Sequence, residues 1–184
     1  PVAGVTPALI YTGTNESNKQ GHSVGYGATG TGQTGYQNNT YGTKRAMRNI
    51  IDLIIFPDGT IGSNGSILLS DFDSPAGTNN SLGQWGSSAT PLDLEGMLAP
   101  GDSGGPVFIL EGGVWYIAGV HSFIGDLGPP AGNNQVDARY GDILGSTRVS
   151  SYAGWINSIV PEPASMTALA VGLVGLLARR RRNR

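Results

Sequence analysis

The sequence predicts an all-β fold, an antiparallel barrel or sandwich of short strands. Three observations carry that prediction. Apolar residues come in brief runs, and up to Ile159 no long stretch shows helical spacing. The runs are separated by dipeptides with turn chemistry. The 30 glycines are spread through the chain without a fixed period, as a fold full of tight turns requires. Hydrophobic residues make up 39% of the 184 residues and charged residues 13%, enough apolar surface to bury a core.

In chain order, the apolar runs are Ala8 to Tyr11, Ile50 to Phe56, Ile67 to Leu69, Pro106 to Leu110 and Val114 to Val120. Each has the length of a strand. Between them stand Thr29-Gly30-Thr31-Gly32, Asp58-Gly59, Asn64-Gly65 and Gly112-Gly113. Asp58-Gly59 and Asn64-Gly65 both suit the positive φ of a tight hairpin turn. Three stretches read as surface loops: Gly13 to Gln20, Gly27 to Thr43, and the long polar Asp71 to Thr90. The last is too long for an idle connector in a compact domain. One short helix is expected over Ser151 to Ile159, where Tyr152, Trp155, Ile156 and Ile159 share a face.

Charge is unevenly placed. Five of the 11 basic residues are Arg179, Arg180, Arg181, Arg182 and Arg184, whereas all 13 acidic residues precede them. The body up to Ala178 therefore carries a net −7, which argues against nucleic acid as a partner, since phosphate binding needs a basic surface. With no cysteine, disulfides and thiolate metal sites are excluded. No metal, nucleotide or other cofactor motif is present, and no cofactor is expected. The first residue is Pro1, without a signal peptide, and the expectation is a fragment of a longer protein.

Gly101-Asp102-Ser103-Gly104-Gly105-Pro106 is the segment that carries chemistry. Acyl transfer needs an exposed hydroxyl and backbone N–H donors aimed where an oxyanion develops. Glycines on both sides of Ser103 let the backbone turn tightly and bring N–H groups close to a substrate. A glycine-rich loop with a solvated Asp-Ser pair would explain a lone Gly-x-Ser-x-Gly, but not all six residues in this order.

At these residues the chain resembles the trypsin and chymotrypsin family of serine proteases. Three further blocks extend the likeness. Gly21-His22-Ser23-Val24-Gly25-Tyr26-Gly27 is similar to the family's Gly-Trp-Gly strand, with Tyr26 in place of Trp. Ile117-Ala118-Gly119-Val120-His121-Ser122-Phe123 is similar to the strand after the nucleophile. Thr147 to Ile156 is similar to the closing strand and helix. The resemblance implies the second antiparallel barrel of the chymotrypsin-like fold, spanning residues 1–160 with the first barrel largely missing. It implies a serine endopeptidase acting on a protein or peptide substrate. Ser103 would be the nucleophile, and the N–H groups of Gly101 and Ser103 the oxyanion hole. Met97, six residues before Ser103, and Leu98 would form the base of the specificity pocket, with Ser122 and Phe123 the wall along the substrate backbone. No acidic residue stands at that base, so an apolar or small side chain is preferred over Arg or Lys. Asp102 has two open roles, partner of a newly cleaved N-terminus or hydrogen-bond acceptor within the loop.

A serine hydroxyl needs a base, and neither histidine suits. The family order is His, Asp, Ser. His121 follows Ser103, and His22 lies in a strand that comes after both His and Asp. Pro1-Val2-Ala3-Gly4-Val5 resembles the segment just beyond the catalytic Asp, so both partners are expected upstream and the chain alone is expected to be inactive. An α/β-hydrolase reading of Ser103, Glu111 and His121 fails, because the gaps cannot hold the strands and helices that fold needs. The alternative function is a catalytically inactive homologue serving as a binding or structural module at the cell surface.

The last segment, 161–184, departs from the body. Pro161-Glu162-Pro163 breaks the chain, Ala164 to Ala178 is apolar, and the arginine cluster follows. The apolar stretch is somewhat shorter than the ~20 residues of a comfortable transmembrane helix, and terminal arginines can snorkel to extend it. A single hydrophobic tail helix is expected, docking on the barrel being disfavoured because the stretch has no polar face. The three parts in this order resemble the bacterial PEP-CTERM sorting signal. That resemblance implies export, processing near Pro161 by an exosortase-like enzyme, and a surface or biofilm destination. Before processing, the tail would anchor in the inner membrane with its C-terminus cytoplasmic.

Overall fold

The computed structural model describes residues 7–159. The chain divides into two compact units between Ser151 and Tyr152. The first holds ten strands: β1 (Leu9–Ile10), β2 (Gln20–Gly25), β3 (Thr29–Thr31), β4 (Gly35–Gln37), β5 (Arg45–Ile50), β6 (Leu53–Ile55), β7 (Ile67–Asp71), β8 (Pro106–Glu111), β9 (Val114–Asp126) and β10 (Asp142–Arg148). A 3₁₀ turn (Val149–Tyr152) leads into the short helix α1 (Ala153–Ile159), at the place the sequence predicts.

The main sheet runs β5-β2-β8-β9-β10-β7-β6, all pairs antiparallel, with β1 added parallel to β9. Its two ends are consecutive in sequence, since only Ile51 and Asp52 separate β5 from β6. The fold is thus mostly β and antiparallel, but strand pairing does not close the expected barrel. The ladder is open at Ile51-Asp52. Asp52 N–H there bonds to the Leu69 carbonyl (2.9 Å), and the Asn49 side chain donates to the Asp71 carbonyl (2.7 Å). The apolar tail helix expected over Ala164 to Ala178 lies outside the described residues.

Four of the five apolar runs each supply one strand, Ile50 to Phe56 is split between the end of β5 and β6, and β9 continues past Val120 to Asp126. Gly112 (φ 58°) and Gly113 (φ 80°) make the two-residue turn between β8 and β9, whose ladder closes at Glu111–Val114. Asn64-Gly65 behaves differently from the expectation. Neither residue has positive φ, and Gly65 is required because a Cβ there would stand 2.3 Å from the Ile55 carbonyl oxygen. The glycine-rich loop after Gly27 contains a small ladder of its own, β3 with β4.

Strand alternation sorts the apolar residues to two faces. Leu68 joins Tyr11, Ile51, Ile54, Val107, Ile109 and Ala118 in the main core. Its neighbour Leu69 faces the other way, onto Ile143 and the fully buried Leu82. Leu82 belongs to the long polar segment after β7, which thereby packs as part of the structure. A second anchor is the buried pair Glu16–Arg148. The guanidinium forks onto the carboxylate at 2.9 and 2.7 Å, Ser150 adds a hydroxyl donor, and the remaining Arg148 nitrogen bonds the carbonyls of Ser63 and Gly65.

Candidate functional site

The Gly101–Pro106 loop is fixed from both sides. Asp102 N–H bonds to the Ala99 carbonyl (3.1 Å) and Gly105 N–H to the Asp102 carbonyl (3.0 Å). Gly104 N–H donates to the His121 carbonyl (2.9 Å), and His121 N–H donates back to Gly105 (2.8 Å), tying the loop to β9. Gly101 (φ 96°) and Gly104 (φ 82°) sit in the left-handed region, where a side chain would be strained. Ser103 lies between them, exposed at the tip. Its hydroxyl forms no hydrogen bond among the described residues, nor do the backbone N–H groups of Gly101 and Ser103.

Of the two roles open to Asp102, the acceptor role is the one seen. Oδ1 accepts Gly27 N–H at 2.8 Å and Oδ2 accepts Ala99 N–H at 3.1 Å. This explains the two glycines flanking Tyr26. A Cβ on Gly25 would stand 2.0 Å from Asp102 Oδ1, and one on Gly27 2.6 Å from its Cγ.

Neither histidine side chain hydrogen-bonds Ser103 among the described residues. His22 points outward from β2, edge-on to Trp115 (ring centroids 4.9 Å apart), over a surface groove of about 550 Å³ that Phe108, Met47 and Leu94 also line. His121 is 3% exposed. Its Nδ1 is 3.2 Å from the Ser146 hydroxyl, and its Nε2 has no partner among the described residues. Burial pushes this imidazole down to about 4, against a smaller upward pull from Asp102, so His121 is neutral at physiological pH.

Beside the loop lies a cavity of about 420 Å³. Met97 and Leu98 line it with Asp102, His121, Phe72 and Tyr140, so the expected pocket base and the Asp102 clamp meet at one place. Ser122 and Phe123 do not line it. They are exposed on β9, where Gly145 pairs with Phe123 and Ser146 with His121, leaving Ser122 as an unpaired bulge residue.

A cluster of carboxyl groups behind this cavity has no counterpart in the sequence reading. Asp52, Asp71 and Asp73 are buried, and Glu95 is half-buried among the same segments. Asp71 N–H donates to Asp52 Oδ2 (3.3 Å) and Asp73 N–H to Glu95 Oε1 (2.8 Å). Burial, then the Asp71 charge, pushes Asp52 up to about 7. The same causes in the same order, with Glu95 and Asp52 adding to them, push Asp73 up to about 8. No short sequence spacing announces the cluster, because the β6–β7 pairing assembles it. Among the described residues no group of His, Cys, Asp and Glu is arranged to hold a metal ion.

Residues 160–182 match the PEP-CTERM protein-sorting motif. The match takes in Pro161, Glu162, Pro163, the apolar stretch and four of the five arginines. The chain therefore carries a signal for export and surface sorting, with membrane passage through its C-terminal tail and recognition by an exosortase-like processing enzyme. No helix among the described residues is long and apolar enough to cross a membrane. No curated protein matches the chain.

Proposed function

We propose that this chain is the nucleophile-bearing part of an exported, surface-sorted serine endopeptidase of chymotrypsin-like fold. The observation that carries the reading is Ser103 itself: an exposed, unengaged hydroxyl between two left-handed glycines, with two free N–H groups beside it. Those N–H groups, of Gly101 and Ser103, are the donors an oxyanion needs. The adjoining cavity, with Met97 and Leu98 in its wall, would take a substrate side chain, while Ser122 and Phe123 would flank the substrate backbone. In this reading the rolled sheet is the second barrel. The base and the acid that orients it come from another segment of the full-length protein, because neither imidazole here bonds Ser103. The tail holds the protein in the inner membrane with its arginines on the cytoplasmic side until processing near Pro161.

A second reading, an inactive homologue used as a surface binding module, is favoured by one observation. Both imidazoles are committed elsewhere, His22 to Trp115 and His121 to Ser146. Fluorophosphonate labelling of the full-length exported protein separates the two. Labelling abolished by Ser103→Ala supports the protease. An unlabelled but folded full-length protein leaves the binding module.

A further inference from the structure

The segment between β7 and the cavity is held in place by acids. Asp71 Oδ2 accepts Leu82 N–H (2.7 Å) and its Oδ1 accepts the Ser87 hydroxyl (3.1 Å). Glu95 does the same further on, taking Asp73 N–H at 2.8 Å and Leu92 N–H at 2.7 Å. The fixed segment then forms part of the cavity wall through Phe72, Leu94, Glu95 and Met97.

The arrangement stores a conflict. Asp52, Asp71 and Asp73 are 9%, 2% and 5% exposed, and none of these groups pairs with a cation among the described residues. The three ion pairs there are Lys19–Glu111, Arg139–Asp137 and Arg148–Glu16. The surroundings supply no compensating charge. Asn49, on β5, is neutral and donates to the carbonyls of Asp71 and Gly96. Arg48 meets this region through its backbone, bonded to Leu94 and Gly96, and its side chain lines the outer groove. Asp142, beside Phe72, turns its carboxyl to the N–H groups of Asp137 and Ala138. Asp73 Oδ1 is buried with no hydrogen-bond partner among the described residues. Four carboxylates this close, without a counter-ion, cannot all stay ionised at low cost.

We infer that Asp52, Asp71, Asp73 and Glu95 form a pH-operated latch that clamps residues 72–96 against the sheet while Asp73 and Asp52 hold protons, and loosens that segment and the cavity wall when the protons leave. The raised Asp52 and Asp73 place the release on the alkaline side of neutral. Below it, the protonated carboxyls relieve the repulsion, and Asp71 and Glu95 keep their amides. The latch is independent of whether Ser103 is catalytic.

Hydrogen exchange of the whole chain, corrected for intrinsic rates, tests it without reference to activity. Protection of the Leu82 and Leu92 amides falls about tenfold or more between about pH 6 and pH 9, while that of the β8–β9 hairpin holds. In Asp52→Asn/Asp73→Asn the fall shrinks to within about threefold. Protection that is flat with pH in the natural sequence, or that falls equally in the variant, overturns the latch. Should the variant fail to fold, carboxyl ¹³C titration of the unaltered chain decides. Two buried aspartates with midpoints above about 6 support it, and titration of all four groups below about 5 removes its basis. Fluorophosphonate labelling of the same samples reports separately on Ser103.

Discussion

Asp102 and Gly27 are held against each other: the carboxylate accepts the Gly27 N–H at 2.8 Å, and a Cβ on Gly27 would stand 2.6 Å from Asp102 Cγ. The Gly101–Pro106 loop and the segment just after β2 thus fit only while residue 27 lacks a side chain. Gly27→Ala is expected to destabilise the fold by about 1–3 kcal/mol, the usual range for a methyl forced into filled space. The same substitution displaces Asp102 and lowers fluorophosphonate labelling of Ser103 in the full-length protein. Chemical unfolding and labelling measure the two effects on one sample.

The Glu16–Arg148 pair yields a second prediction. Burial alone would raise the Glu16 carboxyl, but the Arg148 and Ser150 hydrogen bonds, with its own backbone, bring it below its ordinary value. Its stabilising contribution is therefore present at neutral pH and is lost as pH falls through the lowered value. Arg148→Met leaves a buried carboxylate alone, at an expected cost of about 3–5 kcal/mol. Glu16→Leu/Arg148→Met should recover most of that loss. Unfolding of both variants beside the unaltered chain at pH 7 checks the comparison.

His121 and Asp73 give pH slopes of opposite sign. The His121 value falls from 6.5 to about 4 on folding, so the folded state binds fewer protons in that window and stability drops as pH falls through it. The Asp73 value rises from 3.8 to about 8, so its stabilisation is present at low pH and is lost as pH rises towards 8. His121→Gln is expected to flatten the acid limb of a melting-temperature profile, and Asp73→Asn the alkaline limb. The Asp73 window, from 3.8 to about 8, spans that of His121, so Asp73→Asn acts alone above 6.5, and an unchanged profile there contradicts the assignment.

These groups also mark the boundary of what the sequence discloses. The turn geometry of the Gly101–Pro106 loop is legible because its constraints are local: Gly101 and Gly104 adopt positive φ within the hexapeptide itself. The β8–β9 hairpin is legible for the same reason, through Gly112-Gly113. Most of strand β10 is not, apart from the Thr147-Arg148 end that falls in the closing block, because Asp142, Ser146 and Arg148 look like solvent-facing residues. They are buried by partners outside the strand: the Asp137 and Ala138 amides of the turn before it, and His121 and Glu16 far away in sequence. Strand β2 shows no apolar run, since Gly21 faces the core in place of an apolar residue, and only the Gly21–Gly27 block marks it as a strand. A Cβ there would meet Val107 at 3.0 Å. The bulge at Ser122 depends on register, and no composition reveals register.

The tail carries the last prediction. Its motif, residues 160–182, is a sorting signal, and the sequence changes at Pro161 from an acidic, turn-rich body to an apolar run and five arginines. A segment of this composition has a reason to enter a membrane, since each apolar side chain gains on leaving water, and positive charge resists translocation. Deleting Pro161 to Arg184 from the full-length protein should shift it from the membrane to the soluble fraction while leaving its melting temperature nearly unchanged. Replacing the five arginines with serine keeps the apolar run but removes the charge that sets orientation, so a tag at the C-terminus should become accessible to protease from outside. Replacing Pro161-Glu162-Pro163 with alanines should instead leave the protein membrane-bound and unprocessed. If deletion lowers the melting temperature by many degrees, the tail belongs to the folded body, and the anchor reading fails.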